Sequence, residues 1–262
     1  MSDSAGPRHI AITGASAGLG RALARAYARP GVVLSLGGRD AVRLEESAAD
    51  CRARGATVFV ASIDVRDADA MRRWLEQFDD AHPIHLLIAN AGVASTLAHG
   101  GDWEARERTA AIVDTNFYGA MNAVLPVIDR MRARGSGQVA LISSLAALRG
   151  MAISPAYCAS KAALKAWGDS VRPVLKRDGI RLSVVLPGFV KTAMSDVFPA
   201  DKPLLWLPDK AAQYIQRGIA ARRAEIAFPA LLALGMRLLP LLPAVMADAI
   251  LGRLSYLPRE ER

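Results

Sequence analysis

Six short apolar runs recur along the first three-quarters of the chain, each separated from the next by a longer stretch of mixed apolar and polar positions. They are HIAITG (His9–Gly14), VVLSLG (Val32–Gly37), TVFVAS (Thr57–Ser62), IHLLIAN (Ile84–Asn90), GQVALISS (Gly137–Ser144) and IRLSVVLPG (Ile180–Gly188). Runs this short and this rich in β-branched residues predict buried strands. Between them, Gly18–Ala28, Asp40–Arg54, Asp67–Asp80, Trp103–Arg132 and Pro155–Lys176 space their apolar residues as helices do. Continuously apolar strands alternating with helices predict an α/β fold with a mainly parallel sheet covered on both faces. Right-handed crossovers make that sheet doubly wound and Rossmann-like. No repeat or linker interrupts the pattern, so one domain is expected over residues 1–262, with a core at about 8–228 and an apolar C-terminal extension at about 229–262.

After Pro187 the pattern changes. An irregular stretch leads to a helix near Pro208–Arg222, a short strand EIAF, and the tail FPALLALGMRLLPLLPAVMADAILGR. Arg237 and Asp248 interrupt the tail, and Pro229, Pro240 and Pro243 break it. It therefore falls short of the roughly 18 uninterrupted apolar residues that a membrane span needs. The expectation is a terminal helix packed on the core or on another subunit. Because arginines flank the segment, a weak peripheral contact with a membrane is the alternative.

Composition narrows the class. A chain of 262 residues with 52% apolar and 22% charged residues has enough apolar material for a globular core and is not a disordered chain. Its formal charge of +8 is scattered, and aromatics make up only 6%, so no basic tract interleaved with aromatics marks a nucleic-acid partner. The N-terminal segment lacks the basic start and apolar run of a secretory signal. With only Cys51 and Cys158, far apart, a reduced cytoplasmic setting is expected. His9, His82, His85 and His99 are dispersed without ligand spacing, so no metal is expected.

Chemistry enters at three places. The first strand runs into TGASAGLG, with Gly14, Gly18 and Gly20 at a strand-to-helix turn. Glycines there let the backbone approach a ligand closely, and the helix that follows points free N–H groups at an anion, which suits a dinucleotide pyrophosphate. Just after the second strand, Gly38 is followed by Arg39 and Asp40. A carboxylate at this point suits the ribose of NAD, and an arginine suits the 2′-phosphate of NADP. Asp40 reads as the cap of the next helix, leaving Arg39 as the phosphate partner and NADP(H) as the expected cofactor. Finally, Tyr157 and Lys161 stand four residues apart in a helical run. That spacing stacks a phenol and an ammonium on one face, where the cation lowers the phenol pKa from about 10 toward neutrality.

These motifs, with Asp64–Val65, Asn90–Gly92 ("NAG"), Ser143–Ser144 ("SS"), "YCASK" at Tyr157–Lys161 and "PGFVKT" at Pro187–Thr192, resemble the short-chain dehydrogenase/reductase family. The similarity runs from about Arg8 to Phe228. It implies an oxidoreductase that moves a hydride between NAD(P) and a carbonyl or secondary alcohol. Ser16, Ala17 and Leu19 would complete the glycine turn, Asp64 and Val65 would contact adenine, and Asn90, Ala91 and Gly92 would border the cofactor. Thr192, with the backbone of Pro187, Gly188 and Val190, would hold the nicotinamide carboxamide. Asn116 would anchor a water chain to Lys161. Ser144, thirteen residues before Tyr157, would bind the carbonyl oxygen, Tyr157 would act as acid or base, and Lys161 would tune it and bind the nicotinamide ribose. General acid catalysis of this kind contributes about 10²–10⁴-fold. In the resembling family the two helices around Asn116 and after Tyr157 form a subunit interface, implying a homodimer or homotetramer.

The substrate would lie against Leu145–Ile153 and Phe189–Leu207, where Leu148, Met151, Ile153, Phe189, Met194, Phe198, Leu204, Leu205 and Trp206 predict an apolar compound. A small buried filler is expected of Cys158. Two rival functions are a non-catalytic NADP(H) sensor and an epimerase or dehydratase that retains its cofactor. The intact Tyr157–Lys161 pair argues against the first.

Overall fold

The computed structural model describes residues 6–97, 103–198 and 202–253. His99, residues 199–201 of the expected pocket wall and residues 254–262 of the extension lie outside them. Strands β1 (His9–Thr13), β2 (Val33–Gly38), β3 (Thr57–Ser62), β4 (Leu86–Ala89), β5 (Gly137–Ile142), β6 (Ile180–Pro187) and β7 (Glu225–Phe228) form one sheet in the order β3-β2-β1-β4-β5-β6-β7. Every neighbouring pair is parallel. The winding reverses between β1 and β4, which opens a crevice beyond their C-terminal ends.

Ten α-helices lie among the described residues: α1 (Gly18–Tyr27), α2 (Ala41–Arg52), α3 (Ala68–Ala81), α4 (Arg106–Val113), α5 (Gly119–Arg134), α6 (Pro155–Arg177), α7 (Ala193–Asp196), α8 (Pro208–Ala220), α9 (Ala230–Leu238) and α10 (Ala244–Arg253). Strand alternation divides the core into two layers. Ile10, Ile12, Leu86, Ile88, Ala140 and Ile142 pack in one layer with α1, α2 and α8. Ala11, Leu87, Ala89, Val139 and Leu141 pack in the other with α3, α5 and α6. Asp40 caps α2 by accepting from Arg43 N at 3.0 Å, and Asp67 caps α3 by accepting from Ala70 N at 2.9 Å.

Two elements differ from expectation. The long helix predicted at Trp103–Arg132 begins at Arg106 and carries a π-helical turn at Asp114–Tyr118 between α4 and α5. Such a turn adds one residue per turn and leaves no mark in apolar spacing. The tail is two helices rather than one, α9 and α10, divided by a 3₁₀ turn at Leu239–Leu241 that contains Pro240. Proline cannot donate within a helix, so the break falls where the prolines are. The core prediction for the tail holds in part: Ala233, Met236, Leu239, Ala247 and Leu251 are buried against the layer that carries α6.

Candidate active site

The turn after β1 is built for close approach. Gly14 and Gly18 have φ of +67° and +53°, a region that side chains other than glycine's disfavour. A Cβ on Gly14 would lie 2.8 Å from Ala91 Cα, and one on Gly18 would lie 3.0 Å from Thr192 Cγ2. Thr13 Oγ1 accepts from the backbone of Asn90 (3.0 Å) and Ala91 (3.1 Å). Asn90 Nδ2 donates back to the carbonyls of Thr13 and Gly14, each at 3.1 Å. Helix α1 begins at Gly18 with Ala17 at its cap, which offers no side-chain acceptor, and its first turn holds no acid. Its amides are thus left for an external anion, and Ser16, Ala17, Gly18, Leu19 and Gly20 line a cavity of about 1030 Å³. The residues at this turn fit a dinucleotide.

At one end of the cavity stand Arg39, Asp40 and Arg43. Asp40 is taken up by capping α2 and by its ion pair with Arg43 Nε at 3.4 Å. Arg43 escaped the sequence reading because it sits one helical turn beyond the strand end, where it looks like an ordinary surface arginine. Next come Asp64 and Val65. Asp64 is paired with Arg66 at 2.6 Å, and that hydrogen-bonded guanidinium holds its carboxyl below the usual carboxylate range. Asn90, Ala91, Gly92, Pro187, Gly188, Val190 and Thr192 line the middle of the same cavity. Thr192 also caps α7, accepting from Ser195 N at 3.3 Å.

Ser144, Tyr157 and Lys161 converge on this cavity from the end of β5 and the first turns of α6. The Ser144 hydroxyl accepts from Ala146 N at 3.1 Å. Lys161 is 3% exposed, and its Nζ donates to the carbonyl of Ile142 at 2.9 Å. The Ser143 hydroxyl is engaged elsewhere, its Oγ donating to the Lys161 carbonyl at 2.8 Å. The expected lowering of the phenol pKa is absent in the chain alone. Burial pushes Tyr157 up to about 12, against a smaller opposing pull from Ser144, and burial brings Lys161 down to about 8. The desolvation that both groups share outweighs their proximity.

Asn116 sits in the π turn, fully buried. It accepts from Val93 N at 2.8 Å and donates to the carbonyl of Val93 (2.9 Å) and to Ser160 Oγ (3.0 Å). It stands behind the cavity wall: a Cβ on Gly92 would lie 3.1 Å from Asn116 Oδ1 and 3.3 Å from Lys161 Nζ.

One more acid belongs to this assembly. Ser154, the cap of α6, has no side-chain bond to the helix and donates instead to the carbonyl of Ser95 at 2.5 Å. Glu104 takes over the capping, accepting from Ala156 N at 2.7 Å and from Ser95 Oγ at 3.0 Å. A cap arriving from fifty residues upstream carries no local sequence signal.

On the far side of Tyr157 the cavity is apolar. Met151, Phe189, Met194, Phe198 and Leu204 line it as expected, with Phe198 set edge-on to Tyr157 at 6.0 Å. Four expected residues do not line it. Ile153 is fully in the core, Leu148 packs against the core, and Leu205 is exposed. Trp206 stacks on Phe228 at 4.8 Å. Their place is taken by the tail, through Leu231, Leu232, Met236, Leu239, Leu242 and Leu251. Cys158 is a buried free thiol with its pKa raised by burial, in keeping with a filler.

Three of the dispersed histidines, His9, His82 and His85, are gathered at the other end of the sheet. The His9 ring lies 4.8 Å from that of His85 and 5.3 Å from that of His82. Among the described residues no group of three His, Cys, Asp or Glu could hold a metal, and no helix is long and apolar enough to cross a membrane.

Comparison with known proteins agrees with this geometry. Residues 8–203 match the short chain dehydrogenase family. An uncharacterized oxidoreductase of Myxococcus xanthus is 37% identical over 249 residues, covering 94% of this chain and 97% of that protein. A short chain dehydrogenase from Mycobacterium paratuberculosis, solved bound to NAD, superposes with a TM-score of 0.73 at 25% identity, covering 84% of this chain and 94% of the other. An alcohol dehydrogenase from Thermococcus sibiricus, solved with 5-hydroxy-NADP, superposes with a TM-score of 0.74 at 25% identity, covering 84% and 95%. A parallel sheet with its glycine turn, strand-end crevice and Tyr-Lys helix, together with these matches, makes the chain a member of the short-chain dehydrogenase family of NAD(P)-dependent oxidoreductases.

Proposed function

We propose that the protein moves a hydride between NADP(H) and the carbonyl or secondary alcohol of an apolar, lipid-like compound, with Tyr157 as acid or base. The observation that carries this reading is continuity. One cavity of about 1030 Å³ runs from Arg39 and Arg43, past Ser144 and Tyr157, to the leucines of the C-terminal helices. When bound, the nicotinamide cofactor supplies the hydride chemistry.

The chain's own residues do the rest. The α1 amides and Gly14–Gly20 hold phosphate, and Thr192 with Gly188 and Val190 orients the nicotinamide end. Ser144 donates a hydrogen bond to the carbonyl oxygen as negative charge gathers there, and Tyr157 passes it a proton. Lys161, seated against Ile142, presents its charge beside both. The two arginines around an engaged Asp40 favour NADP(H) over NAD(H).

The exposed Tyr118, Leu125 and Val174, on the π turn, α5 and α6, support homodimer or homotetramer pairing through those elements. Two buried free thiols suit a reduced cytoplasm. The test is consumption of NADPH and of NADH against aliphatic, cyclic and steroidal ketones graded by carbon number. Turnover that rises with apolar size and favours NADPH is expected. Turnover confined to small polar carbonyls would overturn the substrate class.

A further inference from the structure

We infer that the outer face of the C-terminal segment docks on a lipid bilayer and opens the substrate cavity into it. This rests on the lipid-like substrate proposed above. Helices α9 and α10 bury Ala233, Met236, Ala247 and Leu251, and they turn a second set of apolar residues outward. Leu241 is 77% exposed and Val245 81%, with Leu234 and Met246 also exposed. An apolar face of this extent on a protein surface marks an interaction site.

Its position chooses the occupant. Leu204, Leu231, Leu238, Leu242 and Ile250 are exposed and also line the cavity, so the cavity's mouth lies inside the apolar face. A protein partner seated there would stop the mouth. A bilayer covers the same leucines while leaving an apolar substrate a path from the acyl region to Tyr157. The helices are too short to span, so the contact is in one leaflet. The formal charge of +8 draws the protein toward anionic headgroups.

The test is flotation of the full-length protein with vesicles of phosphatidylglycerol and phosphatidylcholine. It is run for the wild type and for Leu241→Glu/Val245→Glu, two exposed positions that do not line the cavity. The wild type should float with the vesicles, and the double variant should float at least tenfold less at an unchanged melting temperature. Its turnover of a long-chain methyl ketone should fall about tenfold when the ketone is presented in vesicles, and should stay the same in detergent micelles. Equal flotation of both proteins, or none, would overturn the proposal. A wild-type dimer that the double variant loses, without vesicle binding, would assign the face to a second copy instead. If no ketone is reduced at all, the reductase reading fails while flotation still decides the docking.

Discussion

Lys161 and Tyr157 stand one helical turn apart on α6, yet Lys161 Nζ lies 5.9 Å from the centre of the Tyr157 ring and gives its hydrogen bond to the Ile142 carbonyl. The two side chains share a desolvated site more than a direct bond. That sets a pH dependence. Tyr157, pushed up to about 12, keeps its proton throughout the neutral range. Lys161, brought down to about 8, is the group that titrates first. The rate of carbonyl reduction should be flat from about pH 6 to pH 7 and fall as pH rises through about 8, where the lysine charge is lost. Alcohol oxidation, which needs the phenolate, should rise with pH. Steady-state kcat against pH in both directions checks this.

The same displacement makes Lys161 a stability cost. Its folded pKa lies below the ordinary value of 10.5, so between about 8 and 10.5 the unfolded chain binds the extra proton. Stability therefore rises with pH across that window. At neutral pH the fold carries a buried cation at a cost of about 3 kcal/mol, by the conversion of pKa displacement to free energy. Lys161→Met should raise the melting temperature by several degrees while abolishing turnover, as calorimetry beside an activity assay will read.

Arg39 and Arg43 border the end of the cavity where a 2′-phosphate would lie. A charge-assisted hydrogen bond contributes about 1.5–3 kcal/mol, about tenfold to a hundredfold in affinity. Arg39→Ser should raise KM for NADPH by about that factor and leave KM for NADH nearly unchanged. Arg43→Ser should act in the same direction. Parallel changes for both cofactors would remove the assignment.

How much of this was legible in the sequence follows from the range of each interaction. The strands, the glycine turn and the Asp40 cap are set by residues within a few positions of one another, and they are where the pattern puts them. The π turn at Asn116 is one inserted residue, invisible to apolar spacing. The tail's placement over the cavity is decided by packing between Met236 or Leu251 and a layer built from α3, α5 and α6. The direction of the Tyr157 pKa also depends on burial, which two residues four apart do not reveal.

Glu104 shows the same limit and yields a prediction of its own. Its carboxylate holds Ala156 N, next to Tyr157, in place of Ser154, whose hydroxyl is given to the Ser95 carbonyl instead. Glu104→Ala should cost about 1 kcal/mol, the usual worth of a helix cap, and lower kcat more than it raises KM by loosening the first turn of α6. Glu104→Gln, which keeps an acceptor, should recover most of both. Urea denaturation together with kcat and KM separates a positioning role from a purely structural one.

The proposed chemistry has Tyr157 exchange the proton with an apolar carbonyl bound in this cavity. It is tested most directly by following NADPH consumption with the best long-chain or steroidal ketone, for the wild type and for Tyr157→Phe. Turnover in the wild type is expected, with a loss of about 10²–10⁴-fold in the variant and NADPH binding retained. Comparable turnover in both proteins would contradict it.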